Sequence, residues 1–154
     1  MIGTDHDFKH TVNVHGAHGN ECGRGVRLSS RPRPPATVIT VSGDVDVCNA
    51  EQVRDYIAGF VHVDQPLVLD LSGVKFLGID GFRAVLGFAA ACRRAKREWA
   101  LVSSAAVNVL LGPSVGDDRL PIVGSVDEAL QRFAALPNAP WRFHSLTPPE
   151  CKRP

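Results

Sequence analysis

The chain has 154 residues, of which 44% are apolar, and its 17 Lys and Arg residues nearly balance its 16 Asp and Glu residues. This length fits one domain and supplies enough apolar residues for a core. The near-neutral charge argues against direct nucleic-acid binding, which requires clustered basic residues. No segment approaches the roughly 18 consecutive apolar residues that span a membrane, and residues 1–10 lack the apolar segment of a secretory signal peptide.

Cysteine usage favours a reducing compartment. The four cysteines (Cys22, Cys48, Cys92 and Cys151) are irregularly spaced, with no C-x-x-C pair. This pattern predicts a cytoplasmic protein without a disulfide framework. The N-terminal histidines and Cys22 lack the paired spacing of a zinc finger, so we expect no metal site and no cofactor. A module that responds to metal or redox state through that segment is one alternative for the function.

Charge and proline content divide the chain into three regions. Residues 36–136 hold nine basic and twelve acidic residues, whereas both ends carry a net positive charge. The last eighteen residues contain Pro137, Pro140, Pro148 and Pro149, and proline cannot sustain a helix because it lacks the amide hydrogen. We predict a flexible N-terminal extension (residues 1–24), one folded domain (residues 25–136) and a proline-rich tail (residues 137–154).

The first half of the folded region predicts a hairpin, a helix and a buried strand. Strands are indicated over residues 26–29 and 37–41, with the proline-rich residues 31–35 as a loop between them. An apolar alternation over residues 8–14 indicates an earlier strand. Asn49 and Gln52 have the spacing of a capping box before a helix. The continuous apolar run 67–71 is typical of a strand buried on both faces.

The second half continues the alternation. A helix is predicted over residues 80–97, with a basic cluster in its last turn and an apolar stripe of Phe82, Val85, Leu86, Ala89 and Cys92. A strand (99–102), a helix (105–111) and a strand (120–123) follow, and Ser125 and Glu128 form a capping box before the last helix. This order predicts an α/β fold: a mostly parallel sheet of four to five strands with about four helices packed on it.

Residues 112–116 match G-x-S-x-G, the nucleophile elbow of α/β-hydrolases. That motif requires a strand before the serine and a helix after it, whereas an apolar helix is predicted before this one. The only later histidine, His144, lies in the predicted tail. We therefore predict a surface loop here and a protein that is not an enzyme.

Two motifs and their spacing carry a family resemblance. The first is Ser42-Gly43-Asp44-Val45-Asp46, and the second runs from Leu69 to Phe82 and begins Leu-Asp-Leu-Ser-Gly. Together they resemble the STAS domain, the family of sulphate transporters and anti-sigma factor antagonists, over roughly residues 25–135. The resemblance implies a single STAS-type domain.

The same motifs also have a direct physical interpretation. Gly43 permits a tight exit from a strand, and Gly81 permits close approach in the first turn of a helix. Asp80 has the chemistry of a helix N-cap. Asp70 interrupts a buried strand, so it should lie near a strand end or accept hydrogen bonds from backbone donors.

The sequence departs from the family at its regulatory position. In regulated members, a serine in the turn before this helix is phosphorylated by the anti-sigma factor. Alignment of the flanking residues places Ile79 at that serine, and no Ser or Thr lies between Gly73 and Trp99. Isoleucine has no hydroxyl, so the resemblance implies either an antagonist outside serine phospho-control or a scaffold that serves another partner or stimulus.

The resemblance implies a regulator that binds an anti-sigma factor of the ATP-binding, kinase-like type. Loop 43–49 and turn 76–83 should adjoin at one end of the sheet and form the binding face. The partner-binding residues we predict are Asp44, Asp46, Ile79, Asp80 and Arg83. The alternative is a STAS subunit of a lipid or anion transport assembly that docks on its ATPase.

Overall fold

The computed structural model describes residues 10–14, 25–111 and 120–136. These residues form six strands and four helices, in the order β1 (His10–Val14), β2 (Val26–Arg33), β3 (Ala36–Val45), α1 (Ala50–Ala58), β4 (Leu67–Leu77), α2 (Ile79–Arg94), β5 (Trp99–Val102), α3 (Ala105–Leu111), β6 (Ile122–Val123) and α4 (Val126–Ala134).

All six strands belong to one sheet, in the spatial order β1-β2-β3-β4-β5-β6. Strands β1 to β3 pair antiparallel, and strands β3 to β6 pair parallel, each of the three parallel connections being made through a helix. The predicted α/β architecture is therefore confirmed. The alternation near residues 8–14 does form a strand, β1, which brings part of the predicted N-terminal extension into the sheet.

Helices cover both faces of the sheet, because successive side chains of its buried strands point alternately into two apolar cores. Ile39, Leu67 and Leu69 face the larger core, which also contains buried side chains of α1, α2 and α3. Val38 and Val68 face the smaller core, which is closed by Ala129 and Phe133 of α4. The apolar run at 67–69 is thus buried on both faces, as predicted.

The loop predicted at residues 31–35 is mostly strand. Strand β2 continues through Arg31, Pro32 and Arg33, and only Pro34 and Pro35 form the turn to β3. Within the described residues, strand β1 pairs with β2 as far as Ser30. Pro32 pairs with Thr37 of β3, whose own amide donates to the carbonyl oxygen of Pro66 at 3.0 Å. A proline is tolerated where the neighbouring strand does not need its missing amide hydrogen.

The apolar stripe predicted on the long helix is also only partly right. Helix α2 begins at Ile79, and its buried face includes Val85, Phe88, Ala89 and Cys92. Phe82 is only partly buried, and Leu86 is exposed. The stripe lies on the side that faces both the sheet and α1, where the small residues Gly81 and Ala84 take up the remaining buried positions.

Candidate functional site

The C-terminal ends of the central strands bring the two sequence motifs together. Val45 pairs with Leu77 at the last position of the parallel ladder between β3 and β4. The amide of Gly78 then donates a hydrogen bond to the carbonyl oxygen of Val45 at 2.8 Å. Loop 43–49 and turn 76–83 therefore adjoin at one end of the sheet.

Gly81 permits this close approach, and Gly43 permits a similarly close approach of β3 to the start of β2. A Cβ atom at Gly81 would lie 2.6 Å from Cγ1 of Val45 and 2.7 Å from Cδ1 of Leu77, so α2 packs directly on the strand ends. Gly43 has φ +102°, and a Cβ there would lie 2.6 Å from the carbonyl oxygen of Gly25. The prediction that Gly43 forms the exit from a strand is wrong. Gly43 lies inside β3, beside a register irregularity.

Asn49 orders the loop, but not as the predicted capping box. Its side chain is 1% exposed and makes no capping hydrogen bond to α1. Oδ1 instead accepts from the amide of Asp46 at 3.0 Å, and Nδ2 donates to the carbonyl oxygen of Asp44 at 2.9 Å. Asp46 in turn accepts from the amide of Cys48 at 2.9 Å. Burial of an amide with both partners satisfied fixes the loop conformation.

The predicted cap of α2 is wrong as well. The N-cap residue is Gly78, without a side-chain hydrogen bond, and Asp80 lies in the first turn. There its negative charge still suits the helix dipole, and its Oδ1 lies 3.6 Å from a guanidinium nitrogen of Arg83.

In contrast, Ser125 caps α4 as predicted, because its hydroxyl accepts from the amide of Glu128. Asp70 accepts from the amide and hydroxyl of Ser72, which satisfies its carboxylate within β4.

Large apolar side chains project outward at this end of the sheet. Ile79 is 55% exposed, Phe76 is 52% exposed and Val47 is 74% exposed. This exposure does not fit an ordinary core position for Ile79, with its side chain packed inward. Adjoining segments thus present three solvated apolar side chains, which we call the apolar patch (Val47, Phe76 and Ile79). Such patches on otherwise polar surfaces mark interaction sites.

A groove adjoins the apolar patch between the first turns of α1 and α2. Its volume is about 460 Å³, and its apolar lining is Val47, Ala50 and Ala84. Asp80 and Arg83, both predicted as binding residues, line it as well. Of the predicted residues on the β3 side, Asp44 lies at the end of β3 and Asp46 lies on the loop that leads to Val47. The sequence analysis did not identify Val47 as a site residue. An apolar residue in a loop, where a buried side chain is not expected, was the signal that could have indicated it.

The described residues contain two kinds of cysteine. Cys92 is a buried free thiol, and burial raises its pKa to about 11, although the nearby Arg97 partly opposes the rise. A thiol with this pKa is almost fully protonated near neutral pH and therefore unreactive. Cys48 is disulfide-bonded, so the prediction of reduced cysteines is wrong for this residue. Disulfide formation depends on how closely the fold brings two cysteines together, which their spacing in the sequence does not show.

The described residues offer neither a metal centre nor a membrane-spanning helix. Residues 10–14, 25–111 and 120–136 contain no group of three or more His, Cys, Asp or Glu side chains arranged to hold a metal ion. None of the helices in these ranges is both long and apolar enough to cross a membrane. The G-x-S-x-G motif, His144 and most of the N-terminal His and Cys residues lie outside the described residues.

Known proteins resemble this chain in sequence and in fold. Osmosensory protein A of Mycobacterium tuberculosis is 34% identical over 103 residues, which cover 64% of this chain and 65% of that protein. The crystal structure of an anti-sigma factor antagonist from Mycobacterium paratuberculosis superposes with a TM-score of 0.61 and 25% identity, over 71% of this chain and 94% of the other.

A domain of a larger protein has the same fold. The structure of the murine Slc26a9 anion transporter matches with a TM-score of 0.58 and 17% identity, over 88% of this chain and 24% of the transporter. The family model of the STAS domain matches residues 27–110, which contain both motifs, the Asn49 loop and helix α2. The chain therefore belongs to the STAS domain family.

Proposed function

We propose that this protein is a non-catalytic regulatory module that binds an anti-sigma factor as an antagonist. The observation that carries the proposal is the 55% exposure of Ile79 at the turn where regulated relatives carry a serine. Similarity to the mycobacterial anti-sigma factor antagonist supports the choice of partner. Sequestration of a kinase-like, ATP-binding anti-sigma factor would release its sigma factor in the cytoplasm, and this chain would perform no chemistry.

The site has the composition of a small protein interface. The apolar patch can exclude water at the centre of a contact, while Asp44, Asp46 and Asp80 surround it with charges that steer a partner. Arg83 lies one helical turn beyond Asp80 and pairs with it on the surface. The proposal assigns Ile79 to the position at which the partner's kinase site would meet a serine hydroxyl in regulated relatives.

Substitution of Ile79 by aspartate should weaken binding of the anti-sigma factor by about 2 kcal/mol or more. The change removes a central apolar contact and adds a charge that must be desolvated in the complex. Titration calorimetry with the purified anti-sigma factor measures the loss. Because Ile79 is exposed, the melting temperature should stay within a few degrees of the wild-type value.

The same variant separates an interface from a structural role. A large drop in melting temperature would show that Ile79 supports the fold, and unchanged affinity would place the partner elsewhere. Val109→Asp on α3 is a matched control, because Val109 is also exposed and lies on a different element from the patch.

We further propose that the protein stays outside serine phospho-control. Incubation with ATP, magnesium and the anti-sigma factor should leave turn 76–83 without a phosphoryl group, because no hydroxyl is present between residues 73 and 99. Intact-mass spectrometry followed by peptide mapping checks this. Replacement of Ile79 by serine is the informative companion: phosphorylation of that variant alone would show that the kinase reaches the turn and lacks only an acceptor.

The second candidate is a subunit of a lipid or anion transport assembly that docks on its ATPase. The fold shared with the Slc26a9 transporter favours it. Affinity purification from the native cells discriminates the two candidates: recovery of an anti-sigma factor supports the first, and stoichiometric recovery of a membrane-associated transport ATPase supports the second.

A further inference from the structure

The groove between α1 and α2 carries charges that the sequence motifs do not explain. Its rim contains Glu51 and Arg54 from α1 opposite Asp80 and Arg83 from α2. The lining residues Ala50 and Ala84 are buried, whereas Val47 projects from the rim. The groove thus has a small-residue floor, one projecting apolar side chain and a charged border.

Negative charge exceeds positive charge around the groove, although its rim alone holds two carboxylates and two guanidinium groups. Arg54 is shared between Glu51, at 3.6 Å, and Asp55, at 3.3 Å. Arg83 pairs with Asp80 at 3.6 Å. Asp55 lies outside the groove lining but contacts Arg54, so three carboxylates pair with two guanidinium groups, and Asp46, immediately before Val47, adds a fourth carboxylate nearby. The pairs on the helices are exposed, and pairs of this kind contribute little and exchange partners readily.

We propose that this groove is the second half of the partner-binding surface. The partner segment that it accepts presents an apolar side chain to Val47, Ala50 and Ala84, and basic side chains to the border carboxylates. The inference rests on the proposed function, because the apolar patch and the groove share Val47 and would be covered by one partner. Charge complementarity favours a basic segment, because Asp55 and Asp46 beside the rim leave a net negative charge after the rim carboxylates and arginines have paired.

Val47→Asp tests the apolar half of the proposal. Because Val47 is 74% exposed, the melting temperature should not change, while the dissociation constant for the purified anti-sigma factor should rise about thirtyfold, as for a central interface residue. Val109→Asp is the matched control, since Val109 is 79% exposed, and it should bind like the wild type. Unchanged binding by Val47→Asp would overturn the proposal.

Glu51→Lys tests the charge half. This variant should bind about fivefold more weakly at low salt, and the difference should shrink at high salt because screening reduces interactions between exposed charges. Asp127→Lys makes the same charge change at an exposed position on α4, across the sheet from the groove, and should have little effect. Tighter binding by Glu51→Lys would show that the partner segment is acidic and would overturn the proposal.

The two proposals fail in different ways. If the wild-type protein does not bind the anti-sigma factor, the proposed function is wrong. If the wild type binds and Ile79→Asp loses affinity, but Val47→Asp and Glu51→Lys bind normally, only the inference about the groove is wrong. A crosslink from the groove to an apolar, basic segment of the anti-sigma factor would support it directly.

Discussion

Replacement of Phe133 by alanine should lower the free energy of unfolding by about 3–5 kcal/mol, the usual loss for a buried aromatic side chain in a well-packed core. Phe133 is 2% exposed and is the largest fully buried side chain among the described residues. It belongs to the smaller core, where α4 covers one face of the sheet. No other described helix contributes to that cluster, so few side chains are available to fill the cavity.

Urea denaturation monitored by circular dichroism measures this loss of unfolding free energy. Val109→Ala is the control: it removes apolar volume from an exposed position and should change stability by less than about 0.5 kcal/mol. Because α4 lies across the sheet from α1 and α2, folded Phe133→Ala protein should retain its affinity for the partner. A loss below about 1 kcal/mol would show that α4 contributes little to the fold.

Gly81→Val should destabilise the protein by about 3 kcal/mol, at the upper end of typical overpacking costs. Even the first added carbon would lie 2.6 Å from Cγ1 of Val45 and 2.7 Å from Cδ1 of Leu77. Both neighbours are buried, so neither can move aside without disturbing the larger core. Relief would require α2 to shift away from the strand ends, which would also displace the apolar patch.

Gly87→Ala provides a control of opposite sign within the same helix. A Cβ at Gly87 would meet nothing within 4 Å, so the substitution should stabilise the protein by about 0.5–1 kcal/mol through helix propensity alone. Thermal and urea denaturation of both variants compare the two effects. Equal stability changes at the two positions would contradict the close packing of α2 against Val45.

The architecture could be predicted because apolar periodicity reports which faces are buried. The nearly continuous apolar run at 67–71 indicates a central strand, and apolar spacing along α1 and α4 indicates helices with one covered face. Pro32 was assigned to a loop because proline cannot donate to a sheet ladder. Only the pairing of β2 with β3 shows that the strand continues through this position.

The candidate site could be predicted in outline but not in detail. The family motifs indicated that loop 43–49 and turn 76–83 would adjoin, and the hydrogen bond from Gly78 to Val45 joins them. The role of Asn49 could not be predicted, because asparagine serves both as a helix cap and as a buried side chain that hydrogen-bonds to the backbone of a loop. The groove depends on the distance between two helices, and the disulfide of Cys48 depends on proximity in the fold. Neither is encoded in local spacing.

The spatial order of the strands repeats their order along the chain. During synthesis, each strand from β2 to β6 therefore emerges when the neighbour it needs has already been made. Among the six described strands, none must wait exposed for a partner later than the next strand, which limits the unpaired edges through which nascent chains aggregate. The sheet can grow in one direction as translation proceeds, and α4 closes the smaller core after β6 has been added.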